Sequence, residues 1–344
     1  MKKYNVLLVT NGFPYGDSER AFLLEEFSRL QEKFNVTVIA YTQENSRKYS
    51  FNWDLDVYRD YWKRTNENII KSLFTKDVIC EIKAGYISKG IKKHIERTKR
   101  IIGYNAYAIY CEELLQDMID RYNINLIYTY WCTYATLAAV RLKKKNMGLK
   151  VISRFHGYDL YNHREYCNWQ PFHKEIAARA DKLYFVCKRG REYFCRNWCD
   201  ADDWEKCMVA YLGTKSRKNI IGHNKRILSL VSCSNVIPLK RIHLIVEALS
   251  LVPEKYYINW THIGDGELMK EIKIMTKNLL GRKNNIKWNF TGKIPNEEIE
   301  KIYMKVYADL FITTSSSEGG RSQLRKLFLW EFRLLGQMLA EYQI

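Results

Sequence analysis

A chain of 344 residues that is 47% apolar can bury the cores of two domains, and none of its apolar runs is long enough to span a bilayer. Its net charge of +18 requires an anionic partner or a well-solvated basic surface. Aromatic residues are mixed with the basic ones, but no nucleic-acid-binding motif is present, so an anionic membrane surface is favoured and no nucleic acid is expected.

The first half of the chain alternates predicted strands with predicted helices. The apolar run Tyr4–Thr10 predicts a strand, a Gly/Pro loop follows, and helical periodicity covers Glu19–Lys33. This opening predicts a parallel, doubly wound sheet. The charged stretch 47–100 is predicted to be mostly helical, with weak strand signals. The other predicted elements are Val36–Tyr41, Asn105–Arg121, Leu126–Tyr130, Thr133–Lys145, Lys150–Phe155, Phe172–Ala180, Lys182–Val186 and Lys188–Asn197.

The alternation starts again after Gly213. Residues 215–225 are charged and lack apolar periodicity, which is typical of a linker. Two α/β domains in series, 1–214 and 215–344, therefore fit the pattern better than one sheet. The predicted elements of the second are Ile227–Cys233, Ile242–Leu251, Tyr257–Ile263, Glu267–Leu280, Ile286–Thr291, Asn296–Val306 and Asp309–Thr313.

Two features predict a cytoplasmic protein. The basic N-terminus precedes an apolar run that is too short for a signal peptide, and no cleavage site follows it. The nine cysteines fit a reducing compartment. Cys195, Cys199 and Cys207 form a cluster without a nearby histidine or Cys-x-x-Cys pair, so unpaired thiols are favoured over a zinc site.

Open α/β sheets bind ligands in the loops that follow their strands. The loop after the first strand reads Asn11-Gly-Phe-Pro-Tyr-Gly16, and the next helix starts near Glu19. Glycine allows a ligand to approach the backbone, and a helix N-terminus favours phosphate. The loop lacks GxGxxG spacing, which disfavours a dinucleotide site. Taken alone, it is more often an ordinary turn.

A second loop combines a histidine with residues that can orient hydroxyl and phosphate groups. It reads Arg154-Phe-His156-Gly-Tyr158-Asp159 and follows a predicted strand. A lone histidine at such a position is usually structural. The glycine and aspartate after it, and the arginine before it, favour a binding loop.

The second domain has two further loops of interest. Lys240 and Arg241 follow Pro238 just before a predicted helix, where the helix dipole disfavours positive charge. A lysine and the fork of an arginine suit a diphosphate, so these cations favour a phosphate site. After the next strand, Gly264-Asp-Gly266 predicts a tight turn.

Two Asp-x-Asp pairs match the motif with which metal-dependent transferases hold a cation. They are Asp54-Leu-Asp56 and Asp200-Ala-Asp202. Neither follows a clear buried strand beside the other loops, so solvated acids are favoured and no metal is expected.

The last predicted strand runs into small hydroxyl residues and Glu318-Gly319. With this ending and the order of its loops, the chain from Tyr4 to Gly319 resembles the retaining glycosyltransferases of family 4, also called group 1. The resemblance implies the GT-B arrangement, two Rossmann-like domains facing a cleft. It implies transfer of a hexose from a UDP- or GDP-linked sugar to a lipid-linked or growing bacterial surface glycan, at the inner face of the cytoplasmic membrane and without a metal.

The resemblance also implies roles for single residues. The first domain would hold the acceptor and the second the nucleotide sugar. Ser234 stands where the family often has an arginine, for which Arg241 would compensate. Catalytic roles fall to His156, Asp159 and Glu318, donor binding to Gly16, Lys240, Arg241, Gly264, Gly266 and Glu318, and the acceptor side to Glu19, Arg154 and Tyr158.

The resemblance breaks at residues 320–344. The family signature has a second glutamate eight positions after the first, where this chain has Lys326, so the second domain is expected to be incomplete. A shifted frame, built from the last base of each codon and the first two of the next, permits Ala-Phe-Ser-Met-Gly-Ile-Pro-Val-Ile-Gly-Thr, which looks like the missing continuation. We therefore expect a frameshift near codon 320; a divergent but genuine terminus is the alternative.

Three other functions stay open. A non-catalytic remnant would bind nucleotide weakly and show no turnover. A basic nucleic-acid-binding protein would bind random duplex with a steep salt dependence. A nicotinamide oxidoreductase is disfavoured by the absence of GxGxxG.

Overall fold

The computed structural model describes residues 4–15, 19–41, 57–60, 64–86, 90–212, 226–316 and 333–336. The chain divides into two compact units, Met1–Gly213 and Thr214–Ile344. Among the predicted site residues, Gly16 and Glu318 lie outside the described residues. Lys326 and the acidic pair at 54 and 56 lie outside them as well.

The first unit is built on a seven-stranded sheet whose paired strands all run parallel, in the order β3-β2-β1-β4-β5-β6-β7. The order reverses direction between β1 and β4, as in doubly wound sheets. The strands are β1 Asn5–Thr10, β2 Asn35–Tyr41, β3 Val57–Asp60, β4 Leu126–Thr129, β5 Lys150–Phe155, β6 Lys182–Phe185 and β7 Cys207–Val209; the helices are α1 Arg20–Lys33, α2 Asn66–Leu73, α3 Lys76–Ala84, α4 Ile91–Tyr122, α5 Tyr134–Lys145, α6 His173–Arg179 and α7 Lys188–Trp198.

Strand β1 shows why this sheet is doubly wound. Its residues are apolar on both faces, the pattern of a strand covered on both sides. Leu7 and Val9 pack into the core formed with α4 and α5. Val6 and Leu8 pack into the core formed with α1. Helices on both faces therefore leave the strand ends as the place where loops can hold a ligand.

The second unit repeats this order on a smaller scale. Its five strands pair in parallel as β10-β9-β8-β11-β12, with the reversal between β8 and β11. The strands are β8 Ile227–Cys233, β9 Tyr257–Ile263, β10 Ile286–Phe290, β11 Leu310–Thr313 and β12 Arg333–Gly336; the helices are α8 His243–Ser250, α9 Met269–Leu280 and α10 Asn296–Lys305.

Helix α4 differs most from the sequence-based expectation. It begins at Ile91 and spans 32 residues, whereas apolar periodicity predicted a start at Asn105. Its first ten residues are exposed or partly buried and mostly charged, so they show no continuous apolar stripe. Strand β3, of four residues, lies in the stretch 47–100, where the sequence shows only weak strand signals. Strand β7, of three residues, was not predicted, because such a short segment lacks a period of its own. No helix in the described part of the chain is long and apolar enough to cross a membrane.

Candidate functional site

The loop after β1 is held by the carboxylate of Glu19. This side chain is buried, at 2% exposure, and precedes helix α1. It accepts hydrogen bonds from the backbone N–H groups of Asn11 (3.0 Å), Gly12 (2.6 Å) and Phe13 (2.7 Å). The indole N–H of Trp131 also donates to it. The protein's own carboxylate thus occupies these amides, so the phosphate expected at this loop would have to bind elsewhere.

The carboxylate of Asp159 holds the loops after β4 and β5 in a similar way, by accepting hydrogen bonds from backbone N–H groups. It is 2% exposed. One carboxylate oxygen accepts from the backbone N–H of His156 (2.8 Å), and the other accepts from the backbone N–H of Cys132 (3.0 Å). The side chain therefore fixes the backbone of the predicted histidine loop against the neighbouring strand's loop.

The imidazole of His156 lies at the carboxyl edge of this sheet. Its ring centre is 3.9 Å from that of Trp131 and 5.1 Å from that of Tyr130. The side chain is 10% exposed, and neither ring nitrogen has a hydrogen-bond partner within the described residues. Nδ1 is 3.8 Å from Asp159 Oδ2, which is too long for a hydrogen bond. Because a buried polar group without a partner is costly, this ring is suited to bind a ligand.

A cavity of about 380 Å³ lies beside these loops, within the size range of ligand pockets. Tyr158 lines it, and its hydroxyl accepts a hydrogen bond from the Asn11 side chain (3.0 Å). The other lining residues come from the ends of β1, β2, β4 and β5, from α4 and from the segment before α6: Asn11, Gly12, Tyr41, Arg100, Tyr104, Cys132, Thr133, Tyr134, Asp159, Glu165 and Gln170.

Arg100 and Tyr104 are cavity residues that the sequence analysis did not find. The Arg100 guanidinium lies 5.2 Å from the Tyr104 ring centre and pairs with Glu165 at 2.9 Å. Arg100 Nε and the Tyr104 hydroxyl are buried without hydrogen-bond partners among the described residues. They come from the first part of α4, which lies before the predicted start at Asn105, so no sequence signal placed them in one cavity with Tyr158 and Asp159.

The buried side chain of His173 packs beneath the loop that carries His156 and Asp159. It is 1% exposed and packs among Phe155, Phe194 and Trp198. Burial lowers the pKa of His173 to about 3, and a hydrogen bond with the backbone of Asp159 partly opposes that shift. The ring is therefore neutral near pH 7 and serves as a packed support for the histidine loop.

Arg154 is placed differently from the expectation. Its side chain is 7% exposed, and its guanidinium donates to Glu26 (3.0 Å), to the Tyr128 hydroxyl (2.9 Å) and to the carbonyl of Ala210 (3.1 Å). The charge is matched inside the fold, where it ties α1 to the sheet. The structure thus gives Arg154 an internal ion pair instead of a place on the acceptor side.

In the second unit, hydrogen bonds join the loop after β8 to the loop after β11. Arg241 has a left-handed backbone (φ 48°), and its Nε donates to the carbonyl of Thr314 at 2.7 Å. The Thr314 hydroxyl donates to the carbonyls of Lys240 and Arg241, each at 2.9 Å. Lys240 ends a short turn that starts at Pro238, ahead of helix α8. The predicted cations therefore lie where the strand order reverses.

The glycines of the loop after β9 are explained by backbone contact. A Cβ on Gly264, whose φ is +138°, would lie 2.0 Å from the Ser234 carbonyl oxygen. A Cβ on Gly266 would lie 2.5 Å from the Val236 carbonyl oxygen. The Val236 N–H donates to the carbonyl of Asp265 at 3.0 Å. This turn thus packs directly against the loop that leads to Lys240.

The structure brings together two groups of predicted residues, each within one unit. Glu19, His156, Tyr158 and Asp159 meet at the edge of the first sheet. Lys240, Arg241, Gly264 and Gly266 meet at the edge of the second, through the segment 234–236 and Thr314. Of the second acidic pair, Asp200 is exposed and makes a 3.6 Å contact with Lys174.

Comparison with known proteins gave a family match for the second unit and a fold match for the chain. Residues 213–320 match the family described as "Glycosyl transferases group 1". The lipopolysaccharide outer core galactosyltransferase WaaB, in its apo form, aligns with 96% of this chain and 80% of its own (TM-score 0.67, 9% identity). Alr3699/HepE from Anabaena, in complex with UDP and glucose, aligns with 97% of this chain and 80% of its own, with a TM-score of 0.63 and 13% identity. WaaG, a glycosyltransferase involved in lipopolysaccharide biosynthesis, aligns with 98% of this chain and 82% of its own, with a TM-score of 0.54 and 12% identity.

A search of curated proteins gave no match. At such low identities the solved structures show the fold alone. That fold is the α/β fold with parallel sheets of the GT-B glycosyltransferases, which confirms the predicted fold class.

Proposed function

We propose that this protein transfers a hexose from a UDP- or GDP-linked sugar to a lipid-linked or growing surface glycan, with retention of configuration. The observation that carries the proposal is the His156 ring, neither nitrogen of which has a hydrogen-bond partner in the described residues. Its loop neighbours Tyr158 and Asp159 line a ligand-sized cavity. The group 1 match of residues 213–320 supports a glycosyl transfer. The Anabaena neighbour solved with UDP and glucose supports a nucleotide sugar as donor.

In the first unit, His156 and Asp159 orient the reacting groups. Asp159 acts through the backbone, because both of its oxygens accept from N–H groups. Glu19 positions the first loop in the same way. The acceptor lies in the cavity, where Tyr158 and Arg100 present a hydroxyl and a guanidinium.

In the second unit, Lys240 and Arg241 offset the charge of the leaving diphosphate. Gly264 and Gly266 let the loops after β8 and β9 pack closely, which positions these cations. Glu318 holds hydroxyls of the donor sugar or the nearby phosphate. With cationic side chains on the diphosphate, the reaction needs no metal.

The test has two parts. A thermal-shift screen of UDP, GDP and their hexose conjugates should identify the donor, followed by calorimetry and a turnover assay with lipid-linked acceptors. In the form with the restored reading frame, His156→Ala should lower transfer by about 100-fold or more while leaving nucleotide affinity unchanged. His163→Ala, at an exposed histidine of the same unit, is the matched control. If no nucleotide shifts the melting temperature, the proposed donor site is wrong.

We further propose that the codons after Gly320 are read in a shifted frame, which would make the chain as given a weakly binding remnant. The group 1 match ends at residue 320. Lys326 stands at the position of the second glutamate. Strand β12, Arg333–Gly336, pairs with β11 in the chain as given, and the shifted frame permits Val-Ile-Gly-Thr at these codons. Sequencing the coding DNA tests this proposal. If no single insertion or deletion near codon 320 opens a long reading frame of this kind, the proposed frameshift is wrong.

We also propose that the protein binds the anionic inner face of the cytoplasmic membrane. Phe74 and Ile91 are 81% and 80% exposed, and the exposed Lys92 and Lys93 follow Ile91. Sedimentation with anionic liposomes should be lost at high salt. Phe74→Ser should weaken it, whereas Met147→Ser, at a residue that is 94% exposed, should not. Equal binding to neutral liposomes would contradict this proposal.

A further inference from the structure

Three cysteines that are separated in sequence meet at one edge of the first unit. Cys195 lies in the last turn of α7, Cys199 directly follows that helix, and Cys207 begins β7. Their sulfur atoms all lie within 4.8 Å of one another, and those of Cys199 and Cys207 are 3.7 Å apart. None of the three is in a disulfide.

We propose that these three thiols form a binding site for a soft metal ion, with Zn²⁺ as the occupant. Thiolates are the ligands that soft and borderline metals prefer. In a tetrahedral site with Zn–S bonds of about 2.3 Å, the sulfur atoms are about 3.8 Å apart. The distance between Cys199 and Cys207 already matches that value, and the other two separations need to shorten by no more than about 1 Å.

The fourth position of this site is open. Within the described residues, the cluster comprises three ligand-bearing side chains, so water or a small molecule would complete a tetrahedron. Cys195 and Cys207 are buried at 1% and 3% exposure, whereas Cys199 is partly exposed and provides the entry path. A metal would thus bind from the Cys199 side.

The surroundings carry compensating charge. Three thiolates and one Zn²⁺ leave one negative charge. The Arg191 guanidinium lies beside the site and donates to the Cys207 carbonyl at 2.6 Å. Lys206, which precedes Cys207, pairs with Asp203 at 2.6 Å, so these two charges offset each other. Since the thiols must lose their protons to bind, metal uptake would release protons and weaken at low pH.

The site would fasten an edge of the sheet. Strand β7 has three residues and pairs in the sheet with β6. A metal held by two residues at the end of α7 and one in β7 would join the helix to this short strand. The sequence favoured unpaired thiols here, because the spacing Cys-x₃-Cys-x₇-Cys contains no Cys-x-x-Cys pair and no histidine is near. The proposal differs because the fold brings the three sulfur atoms together.

Metal titration of the full chain tests the proposal. The protein would be reduced, freed of metal with a chelator, and titrated with Zn²⁺ against a chromophoric competitor; Co²⁺ would serve as the spectroscopic probe. We expect one equivalent of Zn²⁺, and a Co²⁺ spectrum with thiolate charge-transfer bands. Cys199→Ser should weaken Zn²⁺ binding by about 100-fold or more, since a direct ligand matters at least as much as a supporting residue.

The controls separate this site from general thiol binding. Cys80→Ser, at an exposed cysteine in the same unit, should bind as the parent does. Cys195→Ala provides a second ligand variant, and circular dichroism would confirm that both ligand variants are folded. The proposal is overturned if the reduced parent takes up no Zn²⁺, if the Co²⁺ spectrum lacks thiolate bands, or if folded Cys199→Ser binds as tightly as Cys80→Ser.

Discussion

Two buried carboxylates of the first unit, Glu19 and Asp159, accept hydrogen bonds from backbone N–H groups. They therefore position the loops and do not contact a ligand through those bonds. Each such charge-assisted bond contributes about 1.5–3 kcal/mol. Glu19 carries three of them and Asp159 two. Trp131 joins the two arrangements, because its indole donates to Glu19 while its ring lies 3.9 Å from that of His156. The rigid loops therefore fix the imidazole in place before any ligand binds.

Lys240 should dominate donor binding in the second unit. Removing a charge-assisted contact to phosphate costs about 1.5–3 kcal/mol, so Lys240→Ala should weaken nucleotide binding by about ten-fold or more. Calorimetry with the nucleotide chosen by the donor screen measures this. Lys287→Ala, at an exposed lysine of β10, is the matched control. Unchanged affinity in a folded Lys240→Ala protein would remove Lys240 from the site.

At the scale of single residues, sequence patterns located the loops but not the direction of every side chain. Asp159 and His156 were predicted at a strand end, and the structure places them there. Arg154 lies in the preceding strand, where successive side chains point to opposite faces, and its partner Glu26 comes from a helix more than a hundred residues away. Such a long-range ion pair has no signature in the local sequence.

At the scale of elements, the close contact between the loops after β8 and β9 depends on Gly266. A methyl group there would lie 2.5 Å from the Val236 carbonyl oxygen, so backbone would have to move. Gly266→Ala should destabilise the second unit by more than about 2 kcal/mol and weaken nucleotide binding, since the Lys240 loop would shift. Chemical denaturation measures the first effect. Gly148→Ala, where the nearest atom is 3.5 Å away, should be nearly neutral.

The boundaries of secondary-structure elements were predicted well where burial leaves a clear apolar pattern in the sequence. Strands β1, β5 and β9 are almost continuously buried, and their predicted bounds agree with the structure within one residue. Helix α4 was shortened because its first part is exposed and charged. The cavity residues Arg100 and Tyr104 come from this helix, so the error in the element hid part of the site.

At the scale of the whole molecule, two buried histidines make stability depend on pH. Burial lowers the pKa of His173 to about 3 and that of His262 to about 4, one in each unit. The unfolded chain binds these protons below about pH 6.5, before the folded chain does. The free energy of unfolding should therefore fall as pH drops from about 6.5 towards 3 or 4. Denaturation at pH 7 and pH 5 tests this, and His173→Phe should flatten the slope for the first unit.

The last expectation concerns the chain beyond Gly320. Lys326 places a positive charge where the resemblance implies a glutamate that would hold ribose hydroxyls, so the sequence as given should show little or no transfer, and its second unit should be poorly soluble. Restoring the reading frame near codon 320 should recover both solubility and sugar transfer, because the shifted frame permits the acidic residue and the continuation of the family pattern together. Turnover assays and calorimetric melting of the two forms, side by side, make the comparison. Robust turnover by the present sequence, with a sharp unfolding transition for its second unit, would show that residues 320–344 are a working part of the enzyme.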